Sequence, residues 1–446
     1  MSNGLPGPAN HFFGLMNARN FHRRPLEFLT SLAERFDQVA FCRLGPFHAC
    51  LPVAPDVLRE VLLDRQETFI KLPRHVNILR QLEGDSMFLS DVETWARRRR
   101  IMQTVFRPAR MERYAETIKD TCERTISEWK SGDQLDLADA LTELTLAVLG
   151  RTMFDIELTG QLALLREWGR VRSEVLIRDM SAAIQLPDWL PLPYKLRKRR
   201  MIRNYHNFID SLIGERRNQA PRDDFLSAML TAVDESGDGK GLSDREARDD
   251  TTLMFTAGFD TVATGLAWTL FLILSNPQVE EQVISEADSV HSDNSPLEAS
   301  DKSAFLETVI KESLRIYPPN WCNTFRQASE DTKLGGYDVR RGTWVIISPY
   351  VAHHRAENFP QPGRFDPGRF SPQRVDSIPR FGYMPFSAGP RSCIGAAFAK
   401  LEISLIVATL LRRFRFRLLV DPETVKPAAL LTLRPSGGLP VELTHR

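Results

Sequence analysis

The sequence is poor in cysteine, and what it has is spaced badly for cross-linking. Its 446 residues hold five: Cys42, Cys50, Cys122, Cys322 and Cys393. The number is odd, the positions are scattered, and no two show Cys-x-x-Cys spacing. That excludes a disulfide framework and a zinc ribbon, and implies a reducing compartment. Net charge is almost absent: Lys+Arg 58 against Asp+Glu 57 leaves +1, so nothing global points to nucleic acid. Ser/Gly-rich linkers, internal repeats and low-complexity tracts are missing too. Length alone suggests about three domains, yet without a linker the expectation is a single domain over 1–446. The N-terminus, Met1 to Phe21, has no long apolar run, only Phe12 to Met16. It reads as neither a signal peptide nor a membrane anchor, so a cytoplasmic protein without a transmembrane segment is expected.

What is present centres on Phe386-Ser-Ala-Gly-Pro-Arg-Ser-Cys-Ile-Gly395, where Cys393 stands just before a long apolar helical pattern, Ala396 to Phe414. A cysteine at a helix start meets unpaired N–H groups and the positive end of the peptide dipoles, which favour thiolate. Gly389 and Gly395 let the backbone turn and let a flat partner approach the sulfur. Arg391 suits an anionic group on that partner. This combination suits axial ligation of a haem iron, with the arginine on a propionate.

The longest helical pattern starts at a capping box, Ser243-Asp-Arg-Glu246, and runs to about Ser275, where Asn276-Pro277 stops it. Its last third, Gly265 to Leu274, is apolar all round, so the helix is central and buried. In its middle lies Ala257-Gly258-Phe259-Asp260-Thr261. A helical glycine costs roughly 1 kcal/mol relative to alanine, and a buried acid and hydroxyl need partners. Local disfavour of this kind suggests a function. Trp95 and Arg99 share a helix face, as do Glu312 and Arg315.

These stretches resemble the cytochrome P-450 family: F-x-x-G-x-R-x-C-x-G at Phe386, Gly389, Arg391, Cys393 and Gly395, A-G-x-D-T at Ala257 to Thr261, W-x-x-x-R at Trp95 and Arg99, and E-x-x-R at Glu312 and Arg315. The order is the family's and the resemblance covers nearly the whole chain. It implies a mainly α fold with a small β-rich lobe: a β-rich portion at about 35–70, a helical core at about 90–320, and the haem-ligand loop at 386–395. It implies heme b (iron protoporphyrin IX) with Cys393 as the metal ligand. Trp95, Arg99, Arg326 and Arg391 would hold propionates, and Ala257, Gly258, Phe386, Gly389 and Gly395 would border the cofactor. The long helix would be locally opened there, with Thr261 holding dioxygen and Asp260 relaying protons. Glu312, Arg315 and Arg369 would form a buried structural triad.

The reaction implied is monooxygenation of a lipophilic small molecule. Because the chain shows no flavin, nicotinamide or iron–sulfur fingerprint, electrons would come from an external ferredoxin- or flavodoxin-type partner and reductase, with the enzyme a monomer. The alternatives are a thiolate-haem peroxygenase or isomerase and a non-catalytic haem sensor. Expected pocket positions are Phe88, Phe259, Asn320, Cys322, Leu430 and Leu431. Two further readings concern charge. The run Arg97 to Arg100 offers a basic patch for an acidic electron-transfer partner. Pro187 to Tyr194, followed by a basic run to Arg203, reads as a lid over the pocket and a solvated helix start, the alternative being a contact of its Trp and Leu with a membrane surface. His353-His354 reads as a structural pair.

Overall fold

The computed structural model describes residues 5–182, 186–290, 295–322 and 325–446. The long helix, Asp244–Leu274, is the axis of the packing. Its start follows from the sequence: Ser243 Oγ accepts from the Glu246 amide at 3.3 Å while Glu246 Oε2 accepts from the Ser243 amide at 2.9 Å. Helices Leu137–Phe154, Pro193–Arg217, Ala304–Ile316 and Ala396–Arg413 pack against it. Trp268 fixes one crossing: its ring stacks on Tyr317 with centroids 3.7 Å apart, and its Nε1 donates to the Leu433 carbonyl at 2.5 Å. A buried indole keeps its place when its N–H finds such a partner. Among the described residues this helix alone is long and apolar enough to cross a membrane, and 67% of that window is buried inside the protein.

The β-rich lobe is a five-stranded sheet. Its order is Val39–Leu44, Phe47–Pro52, Trp344–Val345, Arg326–Ala328 and Phe69–Lys71. The first two strands form the hairpin the sequence implies, closing at Leu44 opposite Phe47. The last two run antiparallel with Lys71 opposite Arg326. Like charges directly opposite each other destabilise a sheet unless something neutralises them.

The helices Pro108–Ile126 and Leu137–Phe154 are separated by a short strand, Gln134–Asp136, which pairs with Pro440–Glu442, a partner too distant in sequence for any local pattern to show. One local expectation needs correction: the long helix is continuous through Ala257 to Thr261, not locally opened. Thr261 Oγ1 donates to the Ala257 carbonyl at 2.7 Å, the usual local satisfaction of a helical threonine.

Candidate active site

The long helix is buried on either side of its middle, yet Ala257 is exposed and Gly258 to Thr261 are half-buried. Exposure confined to the centre of a core helix means that it borders an internal hollow. Cys393 is exposed although protein crowds around its thiol, which has the same meaning. The cysteine loop is held by bonds at both ends. The Cys393 amide donates to the Phe386 carbonyl at 2.9 Å, and Arg99 donates to the Ser392 carbonyl at 2.7 Å. Gly389 has φ +75, and a Cβ there would lie 2.2 Å from the Leu62 carbonyl oxygen, so close backbone packing demands this glycine. At Gly395 a Cβ would meet nothing within 4 Å.

The thiol departs from expectation in charge. Burial is the largest influence and raises the Cys393 pKa, with the Gly395 N–H and the Arg99 guanidinium pulling it down. The helix start alone therefore does not secure a thiolate; a cation at the sulfur would.

Next to this loop three cations converge, Lys71, Arg326 and Arg391, and Asp91 offsets the charge of Arg391. Burial, then Arg391 and Arg326, lowers the Lys71 pKa well below the usual amine range. Burial, then Arg391, lowers Arg326 to about 10. Arg326 Nη1 is buried with no hydrogen-bond partner. Arg391 donates to the Ser90 carbonyl at 3.1 Å and lies over the Trp95 ring, 4.8 Å from its centroid. Lys71 Nζ sits over the Phe88 ring, 3.9 Å from its centroid, so an expected pocket residue lies against this cluster. A buried orphan donor and mutually repelling cations fit a ligand that brings two carboxylates, and iron protoporphyrin IX does so. Lys71 was not legible from the sequence, where it is a lone lysine in an apolar strand.

The rest of the arginine run is spent within the protein. Arg97 pairs with Glu246, Arg98 with Asp250 at 2.7 Å, and Arg100 with Asp234 at 2.6 Å. The basic patch expected at Arg97 to Arg100 is thus largely neutralised. Arg98 and Asp250 are both buried, and Asp250 also accepts from the Met87 amide at 2.6 Å, tying the segment before Trp95 to the long helix.

Asp260 is clamped. Arg434 forms an ion pair with it and Thr432 Oγ1 donates to Oδ2 at 3.0 Å. Thr432 and Arg434 alternate on one side of the C-terminal hairpin, Pro427–Ala429 with Leu433–Pro435, next to the expected pocket residues Leu430 and Leu431. Leu430 is exposed and its carbonyl accepts from Trp321 Nε1 at 2.9 Å. Leu431 and Phe259 pack against the same apolar cluster as Ile394, the residue after Cys393. Asn320 is exposed and Cys322 half-buried beside Trp321. Gly258 has a packing cause as well as any functional one: a Cβ there would lie 2.8 Å from Leu149 Cδ1.

Behind the loop, Glu312 binds Arg315 at 2.7 Å and Arg369 at 3.3 Å, all three buried. His353 bridges this group to the cysteine loop. Its Nδ1 faces the Arg315 carbonyl at 3.1 Å and its Nε2 accepts from the Met384 amide at 2.8 Å.

An exposed cysteine, a hollow bordered by the middle of the core helix, and a cation cluster with a buried orphan donor on Arg326 together define a haem–thiolate site. The sequence profile described as cytochrome P450 matches residues 5–440. Pentalenene oxygenase of Streptomyces avermitilis is 33% identical over 95% of this chain and 94% of its own. Cyclooctat-9-en-7-ol 5-monooxygenase of Streptomyces melanosporofaciens is 35% identical over 89% of this chain and 86% of its own. Human cytochrome P450 4F3 is 30% identical over 97% and 88%. The chain belongs to the cytochrome P450 family. It is a haem b monooxygenase that inserts one atom of dioxygen into a lipophilic molecule with electrons from a separate redox partner.

Proposed function

We propose that the substrate is a cyclic terpenoid or a similarly apolar polycycle, oxygenated at a C–H or C=C bond, by a monomeric, single-domain cytoplasmic enzyme fed by a ferredoxin- or flavodoxin-type protein. The apolar character of the expected pocket residues Phe259 and Leu431 carries this reading, and the names of the two Streptomyces relatives support it. When bound, the haem supplies thiolate-ligated iron that activates dioxygen. Cys393 would be its ligand, and Lys71, Arg326 and Arg391 would hold its carboxylates together with Trp95 and Arg99, which also fix Arg391 and the loop. Thr261 positions the gas, exchanging its bond to the Ala257 carbonyl. Asp260 passes protons inward from the solvent side, where Arg434 is half-exposed. Glu312, Arg315 and Arg369 brace the loop, and Asn320, Cys322 and Leu430 border the pocket mouth.

The test is a spectral titration of the ferric protein with cyclic sesquiterpenes and diterpenes, followed by turnover with a surrogate ferredoxin and reductase. The reading predicts a low- to high-spin shift and one oxygen atom in the product. A shift and product with linear fatty acids alone would overturn the terpenoid assignment. Loss of the reduced carbon-monoxide thiolate band in Cys393→Ser is expected; its survival would remove Cys393 as the ligand.

A further inference from the structure

The basic run after Trp189 divides into two faces on the helix Pro193–Arg217. Lys195 and Lys198 turn inward and are almost fully buried, both bonded to Asp188. Arg197 is held by Glu167 and Glu174. The outward stripe is Leu196, Arg199, Arg200 and Arg203, at spacings of three, four and seven that share one side of a helix. All four are exposed, and among the described residues no acid pairs with the three arginines. Just before the helix, Trp189 is 73% exposed and Leu186 50%.

This surface continues onto the neighbouring elements. Arg178, at the end of the helix Leu162–Ser181, lies over the Tyr194 ring at 4.3 Å, and Ile177 beside it is exposed. Ile177, Arg178 and Ala182, with Glu174 (paired to Arg197), share a cleft with His22 of the N-terminal helix His11–Arg23. That helix exposes Phe12, Phe13, Leu15 and Met16 at its start and Arg19 and Arg23 toward its end. Large apolar groups and unpaired cations thus recur together on three adjoining segments.

We propose that this face docks on an anionic lipid bilayer, with Trp189 and Leu196 entering the headgroup layer and Arg199, Arg200 and Arg203 binding lipid phosphates. The chemistry favours lipid over a protein partner. An exposed indole with an apolar body and a polar N–H suits the headgroup boundary. Arginine binds phosphate through two parallel bonds. The apolar side chains are spread over three segments and interleaved with arginines, the arrangement of an interfacial surface. The proposal is independent of which substrate the enzyme oxidises, and its readout is binding, not turnover.

The experiment is cosedimentation of the haem-loaded full chain with vesicles of phosphatidylcholine alone, or with about one third phosphatidylglycerol. The expected result is pelleting with the anionic vesicles, strongly reduced at about 0.5 M salt. Replacing all three residues together (Arg199→Gln, Arg200→Gln, Arg203→Gln) weakens that binding on the order of 100-fold. Trp189→Ser weakens it several-fold, and brominated lipid chains quench an emission component absent from Trp189→Phe. Unchanged carbon-monoxide and circular dichroism spectra show that the variants are folded. Equal binding to neutral and anionic vesicles, or undiminished binding by the triple variant, overturns the proposal. Failure to pellet with either composition also overturns it and leaves the arginine stripe to an acidic protein.

Discussion

Arg434 reaches from the C-terminal hairpin to pair with Asp260 in the middle of the long helix, and Thr432 donates to the same carboxylate at 3.0 Å. The acid expected to relay protons is thereby tied to the strand that follows the pocket residues Leu430 and Leu431. Asp260→Asn removes the proton carrier and is expected to lower turnover by about 100-fold or more. Arg434→Gln keeps the acid but frees it. Its expected effect is a several-fold loss of product formed per reducing equivalent, with hydrogen peroxide making up the difference. Stability should change little, since the arginine is 44% exposed. Equal coupling in Arg434→Gln and the parent would show that the pair has no part in proton delivery.

Lys71, Arg326 and Arg391 repel one another, and Asp91 offsets only Arg391. Haem carboxylates would reverse the sign of that interaction. Lys71→Met is therefore expected to make the haem-free protein no less stable, while speeding haem transfer to a scavenging globin at least tenfold, on the order of 2 kcal/mol. Equal haem-loss rates would remove Lys71 from the site.

Gly258 is packed against Leu149. Gly258→Ala gains helix propensity of up to about 1 kcal/mol but forces a methyl to 2.8 Å from Leu149 Cδ1. Overpacking of this kind costs about 1–3 kcal/mol, so a net loss of thermal stability is expected. Adding Leu149→Ala should recover part of it. Two fully additive losses in that double variant would mean the contact does not limit the site.

Burial lowers the pKa of His353 well below 6.5, and lowers His75 and His354 from 6.5 to about 4. Each stays neutral in the fold and takes up a proton on unfolding below its ordinary value. Their contribution is fully present above pH 6.5 and is lost as pH falls toward the folded values, costing about 2 kcal/mol per histidine at pH 5. Urea midpoints should therefore fall from pH 7 to pH 5. His75→Gln should flatten that slope by about one proton. A midpoint independent of pH over this range would contradict the buried neutral state.

The parts of the site legible in the sequence are those set by short spacing. The capping box at Ser243 and the Glu312–Arg315 pair each depend on neighbours within a few residues, and each geometry appears as read. Lys71 and Arg434 were not legible because their partners come from elsewhere in the chain. Asp260 and Arg434 are 174 residues apart. The run Arg97 to Arg100 looked like a free basic patch for the same reason: the acids that neutralise it, Asp234, Glu246 and Asp250, lie across the fold.

The sequence by itself determined the chemistry: which sulfur stands at a helix start, which helix is apolar enough for the core, and which acid and hydroxyl interrupt it. Those follow from backbone geometry and from the cost of burying polar groups, both local. The tertiary structure alone decided which charges remain unbalanced. It left three cations at an internal hollow and three arginines on an outer stripe, because whether a charge is paired depends on what folding brings within a few ångströms of it.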